Sequence, residues 1–253
     1  MITHKQLFVA SRLAYSICNG EINLVQDVIS DMEKIGITTK DICIYESRIN
    51  AFLSFRISGD LVVAFRGTLP PNVTADHVLM REEIDDWAMD GDAELIETKS
   101  GNVHRGFWLD FCDLLDHLVI PDGTKRIYLT GHSKGGALAV IAARYFEKYY
   151  HYDVKCVTFG APKCSSDSAN KNYINYEYGY DIVPHMFIIP RGYKRSGNLI
   201  YIDKNLDMHE DSFKLRAKRK WQLLKFIFKG QFFTIAADHS IDAGAGYSRF
   251  FGE

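Results

Sequence analysis

Apolar residues fall along this chain in two rhythms. Residues 49–57 and 61–65 are runs of apolar and β-prone side chains separated by Ser58-Gly59-Asp60. They read as two strands joined by a tight turn, and the second, apolar throughout, is expected at the centre of its sheet. Shorter runs of the same kind recur at 127–129, 155–159, 173–178 and 199–202. Helical spacing of apolar positions marks the N-terminus, read as an amphipathic helix, and residues 107–118, 135–149 and 213–228. Strands alternating with helices in this way predict a mostly parallel sheet covered by helices on both faces, an α/β architecture. With 253 residues and neither an internal repeat nor a low-complexity stretch, residues 1–253 are read as a single domain.

Composition narrows the function classes. The formal net charge of -2 argues against a general nucleic-acid binder. No apolar run approaches the roughly 20 residues that span a bilayer. The first ten residues give way to Ser11 and Arg12 before any sustained apolar signal region develops. The five cysteines, Cys18, Cys43, Cys112, Cys156 and Cys164, include no C-x-x-C pair, so buried free thiols in a reducing, intracellular compartment are expected. No His/Cys or H-E-x-x-H spacing suggests a metal, and no cofactor is implied.

Two charge runs stand out. Between residues 76 and 97 nine carboxylates face a single Arg81, which reads either as a solvated surface or as a lid. Between 213 and 229, seven lysines and arginines alternate with Phe213, Trp221 and aliphatic residues and meet no acid. That segment reads either as a surface helix or as a helix lying on an anionic lipid surface.

The richest chemistry lies at Gly131-His132-Ser133-Lys134-Gly135, a G-x-S-x-G pentapeptide between the β-prone run 127–129 and the helical run 135–149. A serine on so sharp a turn needs neighbours without a Cβ, and strand, turn and helix stand in the order of a nucleophile elbow. A serine hydroxyl is a poor nucleophile at neutral pH, so a histidine must take its proton and a carboxylate must orient that histidine. In α/β-hydrolases the acid and then the histidine follow the serine. Asp181, after the strand 173–178 and before Pro184, suits the acid, and His239 in its C-terminal loop suits the base. His209 is the rival base. His185 and His132 are read as structural.

These residues carry a resemblance. Val63-Ala-Phe-Arg66-Gly67-Thr68, Trp87, Val103-His104-Arg-Gly106-Phe107, the Ser133 elbow, Thr158-Phe-Gly160-Ala-Pro162, Asp181-Ile-Val-Pro184-His185 and Asp238-His239 occur in the order found in class 3 lipases. The chain resembles that family, whose members include fungal triacylglycerol lipases, from about residue 60 to 240. The resemblance implies the α/β-hydrolase fold, with Ser133 as nucleophile, Asp181 as orienting acid and His239 as general base. It also implies an oxyanion hole at Thr68 and at the backbone N–H of Lys134, and a lid within residues 69–86. Lys134 replaces the apolar residue of many relatives, which implies a more polar acyl entrance. The sparse large apolar residues of the lid stretch argue against activation at an oil surface.

The expected function is therefore a serine esterase that cleaves carboxylic esters of acyl lipids. Two rival readings remain: a phospholipase A working at anionic lipid surfaces, and a lipase-like protein that binds a ligand or partner without catalysis. Peripheral contact with a lipid surface is expected, and the oligomeric state is open.

Overall fold

The computed structural model describes residues 2–19, 21–22, 36, 42–68, 94–167, 172–185, 192–228 and 237–252. The lid expected within 69–86, Trp87, and the acidic run up to Asp92 lie outside them.

The hairpin forms where the apolar runs place it. Strands β4 (Ala51–Ile57) and β5 (Asp60–Phe65) pair antiparallel with Ile57 opposite Asp60. Ser58 and Gly59 make the turn, both with positive φ (52° and 88°), the backbone that the right-handed strand twist favours in a two-residue loop. Along β5 the apolar run hides a period of two. Val62 and Ala64 face one core layer, whereas Leu61, Val63 and Phe65 face the other. A strand covered on both sides has no polar face to betray the alternation.

Four more strands extend the sheet from β5: β8 (Ile127–His132), β9 (Val154–Phe159), β10 (Tyr173–Tyr178) and β11 (Asn198–Ile202), each parallel to its neighbour. The edge strands β3 (Cys43–Glu46) and β12 (Met208–Glu210) pair antiparallel to β4 and β11. The complete order is β12-β11-β10-β9-β8-β5-β4-β3, so β5 is interior as expected. β3, β12 and a separate hairpin of β6 (Leu95–Thr98) and β7 (Gly101–His104) escape the sequence reading, being short and only partly apolar. A two-stranded ribbon pairs β1 (Ile17–Cys18) with β2 (Glu21–Ile22).

Helix α1 (His4–Ala14) begins with a capping box in which Thr3 and Gln6 satisfy each other's backbone N–H. The helix is amphipathic as expected, with a narrow polar side: Leu7 to Ser11, Leu13 and Ala14 are all buried, while Lys5 is exposed and Arg12 half-buried. Its one core-facing hydroxyl, Ser11 Oγ, meets Thr130 Oγ1 at 2.9 Å. Helices α2 (Arg105–Leu115) and α3 (Lys134–Tyr150) cover the opposite face through Phe107, Phe111, Leu138 and Ile141. A short helix α5 (Ser248–Phe251) closes the α1 side, where Phe251 packs on Phe8 and Phe159.

Helix α4 (Phe213–Phe228) docks through charge. Arg219 is buried, donates to Glu177 Oε2 on β10 and lies over the Tyr201 ring at 4.1 Å. Arg195 binds the other oxygen of Glu177, and His185 Nε2 stands 3.2 Å away. Burial alone would raise the Glu177 carboxyl, but Arg219, Arg195 and His185 outweigh it and hold it well below the usual carboxylate range.

The thiol expectation holds in part. All five cysteines are free, but only Cys156 and Cys164 are buried, and Cys43 is exposed.

Replacing Glu177 by Gln leaves two guanidinium groups facing a neutral amide, and should lower stability at neutral pH by about 3–5 kcal/mol in urea unfolding. Because the folded carboxyl is depressed, its contribution is present above the unfolded value of about 4.3 and fades as pH falls through the folded one. The acid limb of the wild-type stability curve should therefore flatten in Glu177→Gln.

Candidate active site

The carboxyl ends of β5, β8, β9 and β10 define the site, because parallel pairing brings the loops that follow them together. Phe65 lies opposite Gly131, and His132 lies opposite Phe159. Ser133 turns the chain from β8 into α3 with φ 55° and ψ −130°, a conformation that costs a residue with a Cβ about 1–3 kcal/mol. The glycines around it are obligatory. A Cβ on Gly131 would stand 2.3 Å from the Gly135 carbonyl, and one on Gly135 would stand 2.2 Å from the Phe65 oxygen. Those contacts are backbone to backbone, so nothing can yield.

The three residues expected to act together are brought together. His239 Nε2 lies 2.9 Å from Ser133 Oγ, and His239 Nδ1 lies 2.9 Å from Asp181 Oδ2. Asp181 is fully buried in the loop after β10, four residues beyond Glu177. Its Oδ2 also accepts the Tyr247 hydroxyl at 2.6 Å, and its Oδ1 accepts the Val183 N–H at 2.9 Å. A buried carboxylate with three donors is kept in one rotamer, and its imidazole partner in one tautomer, Nδ1–H toward Asp181. Gly160, with φ +61°, passes so close that a Cβ would meet Asp181 Oδ2 at 2.7 Å and His239 Cε1 at 3.1 Å.

His239 is also held from behind. Its carbonyl lies 2.6 Å from His132 Nε2, whose Nδ1 lies 2.8 Å from the Tyr15 hydroxyl. Complete burial, followed by the neighbouring His239, holds His132 well below its ordinary pKa, so it is neutral. Nε2–H then donates to the carbonyl and Nδ1 accepts from Tyr15. Tyr15 in turn sits against Gly67, where a Cβ would fall 2.0 Å from its hydroxyl oxygen. The residue before His239 is pinned too, Asp238 accepting from the Tyr180 N–H at 2.7 Å and from the Lys204 ammonium.

Thr68 follows directly on this contact, and its buried Oγ1 has no hydrogen-bond partner among the described residues. Lys134 begins α3 beside Ser133. Its side chain does not form a polar acyl entrance, which corrects the expectation. Lys134 Nζ is buried, donates to Asn50 Oδ1 at 3.0 Å and stands 3.6 Å from Asp110 Oδ2, fastening the start of α3 to α2 and β4. His209, the rival base, lies on exposed β12 with Nε2 2.9 Å from Asp203 Oδ2. His185 faces Glu177, in keeping with a structural reading.

Tyr15, Tyr247 and Asp238 were not found as site residues from the sequence. Asp238 adjoins the chosen histidine, which is a weak signal. Tyr15 and Tyr247 carry none, because each bonds a residue far away along the chain, Tyr15 to His132 and Tyr247 to Asp181.

A family model described as "Lipase (class 3)" matches residues 62–191, just over half of the chain. The chain belongs to the class 3 lipase family. Its sheet and flanking helices are those of an α/β-hydrolase. The structure is similar to the triacylglyceride lipase of Rhizomucor miehei, with TM-score 0.54, 20% identity and coverage of 81% of this chain and 82% of that one. It is also similar to the Lip2 lipase of Yarrowia lipolytica, with TM-score 0.57, 16% identity and coverage of 82% and 83%. In sequence it resembles protein EDS1 of Arabidopsis thaliana, 34% identical over 80 residues, which is 25% of this class 3 lipase chain. That stretch spans 13% of EDS1. Among the described residues no helix is long and apolar enough to cross a membrane.

His132 supplies a pH test. Its folded pKa is depressed, so below about 6.5 the unfolded chain takes up a proton that the folded one refuses, and stability falls by up to about 1.4 kcal/mol per pH unit. Urea unfolding between neutral pH and pH ~5 should show this loss in the wild type and a shallower one in His132→Asn.

Proposed function

We propose that this class 3 lipase hydrolyses carboxylic esters of acyl lipids through an acyl-enzyme on Ser133. The observation that carries this reading is the unbroken relay Ser133 Oγ, His239, Asp181, with both contacts at 2.9 Å, set on a strained elbow at the carboxyl end of the sheet.

The chemistry follows from the geometry. As Ser133 Oγ forms its bond to the ester carbon, His239 Nε2 takes the hydroxyl proton, and Asp181 steadies the imidazolium. The carbonyl oxygen becomes an oxyanion, for which the N–H of Lys134, the N–H of Thr68 and the partnerless Thr68 hydroxyl are the available donors. The C–O bond to the alcohol then breaks, and His239 returns its proton to the leaving oxygen. A water repeats the sequence on the acyl-enzyme, His239 taking its proton and handing it to Ser133 as the fatty acid leaves. Tyr247 and His132 act as positioning residues, one through Asp181 and the other through the His239 carbonyl.

Acyl lipids are favoured among esters by the family and by the triacylglyceride lipase among its structural likenesses. Within them, a phospholipid cleaved at a carboxyl ester is a second reading, supported by the exposed basic and aromatic face of α4.

Ester hydrolysis across a series of acyl chain lengths tests the proposal. Ser133→Ala should lose at least ~10⁴-fold in kcat/KM, and His209→Ala should retain near-full activity. Full activity in Ser133→Ala would overturn the assignment, while equal inactivity in both proteins would favour a lipase-like binding protein. Tyr247→Phe should lower kcat by about tenfold with KM little changed, since it removes one donor to Asp181 and touches no substrate.

A further inference from the structure

Helix α4 is built inside out. A helix lying on a protein ordinarily turns its aromatics inward and its charges to water. Here Arg219 is buried against Glu177 and Tyr201, while Phe213 is 87% exposed and Trp221 62% exposed. At 3.6 residues per turn, Phe213, Ala217 and Trp221 form one stripe, which lies roughly opposite Arg219. Lys220 borders the stripe on one side, and Lys214, Lys218 and Lys225 border it on the other. All four lysines are exposed, and Lys225 Nζ lies 5.2 Å from the centre of the Trp221 ring.

Among the described residues, none of this outer face is spent on holding the fold together. Among the described residues, Lys214, Lys218, Lys220 and Lys225 meet no carboxylate, whereas Arg216 is occupied by Asp211 on the same segment at 2.7 Å. Lys163, just past the Gly160-Ala161-Pro162 turn, has its pKa lowered by burial and then by Arg195, Lys220 and Arg216, only partly opposed by Glu177. The Arg219–Glu177 pair ties the helix to the strand that leads into the Asp181 loop. The face therefore stands on an element joined directly to the catalytic end of the sheet.

We infer that the outer face of α4, Phe213, Lys214, Lys218, Lys220, Trp221 and Lys225, docks this protein on a bilayer containing anionic phospholipid. Two aromatic side chains enter the headgroup boundary and four ammonium groups meet lipid phosphates and carboxylates. Charge complementarity selects this occupant: the face is cationic throughout, and its aromatics gain from a boundary that is half apolar. The inference rests on the acyl-lipid reading and deepens it, because docking holds the chain at a surface that contains its substrate.

The test uses flotation of the full chain carrying Ser133→Ala, so that no lipid is consumed, with vesicles of phosphatidylcholine alone and of phosphatidylcholine mixed with phosphatidylserine. Binding should be at least ~10-fold stronger to the mixed vesicles and should weaken as salt is raised. Replacing the four lysines by Gln should weaken it by about a hundredfold or more, and Phe213→Ser with Trp221→Ser by about tenfold. Since these side chains are exposed, urea unfolding should be unchanged in both variants. The four-Gln variant with Ser133 intact should hydrolyse a soluble short-chain ester at the wild-type rate. Equal binding to both vesicles, or undiminished binding by the four-Gln variant, would overturn the inference. So would binding to neither vesicle, which would leave the face to a protein partner. Vesicle binding without any ester hydrolysis would sink the esterase reading and leave this one standing.

Discussion

The close approach of three backbone segments governs this structure. β8 turns into α3 at Ser133 with Gly131 and Gly135 almost touching, and Gly135 rests on the end of β5 at Phe65. No side chain can intervene, so the serine must sit at the tip of a turn with positive φ. Lys134, at the start of α3, and Thr68, three residues past β5, follow the two strands that meet there. The strain at Ser133 persists because the parallel sheet on one side and the packed α3 on the other allow no relaxation.

Around this contact the protein solves a second problem, the burial of polar groups. Asp181 is sealed from water and compensated by His239, Tyr247 and the Val183 N–H. Neutral His132 bridges Tyr15 to the His239 carbonyl, so the end of helix α1, the loop before Thr68 and the loop carrying His239 are tied together. Glu177, four residues before Asp181, repeats the device with Arg219 and secures α4. In each case one charged or polar atom is satisfied by groups from separate segments. These bonds offset the cost of burying the site's polar groups. Lys134 belongs to the same pattern: its ammonium is used to fasten α3 to α2 and leaves the acyl side untouched.

Much of this was readable in the chain itself. The hairpin at 58–59, the apolar strand β5, the five parallel strands and helices α2, α3 and α4 follow from local periodicity and turn chemistry, which act within a few residues. The elbow was legible because its steric demand falls on adjacent positions, written as glycines. Asp181 and His239 were legible through the order that the α/β-hydrolase sheet imposes on its loops, and both lie within hydrogen-bonding reach of the relay. β3, β12 and the β6–β7 hairpin were not legible, because each is three or four residues long and takes its structure from the strand beside it.

The sequence by itself determined the class of fold and the position of the candidate nucleophile, since both depend on near-neighbour sterics and hydrophobic rhythm. Only the tertiary structure decided which way Lys134 points, that Tyr15 and Tyr247 support the relay, how much of α1 is buried and that Arg219 faces inward while Trp221 faces out. Those outcomes depend on partners at least 42 residues away along the chain. Side-chain direction at such separations is set by which segments the sheet brings together, and no local pattern records it.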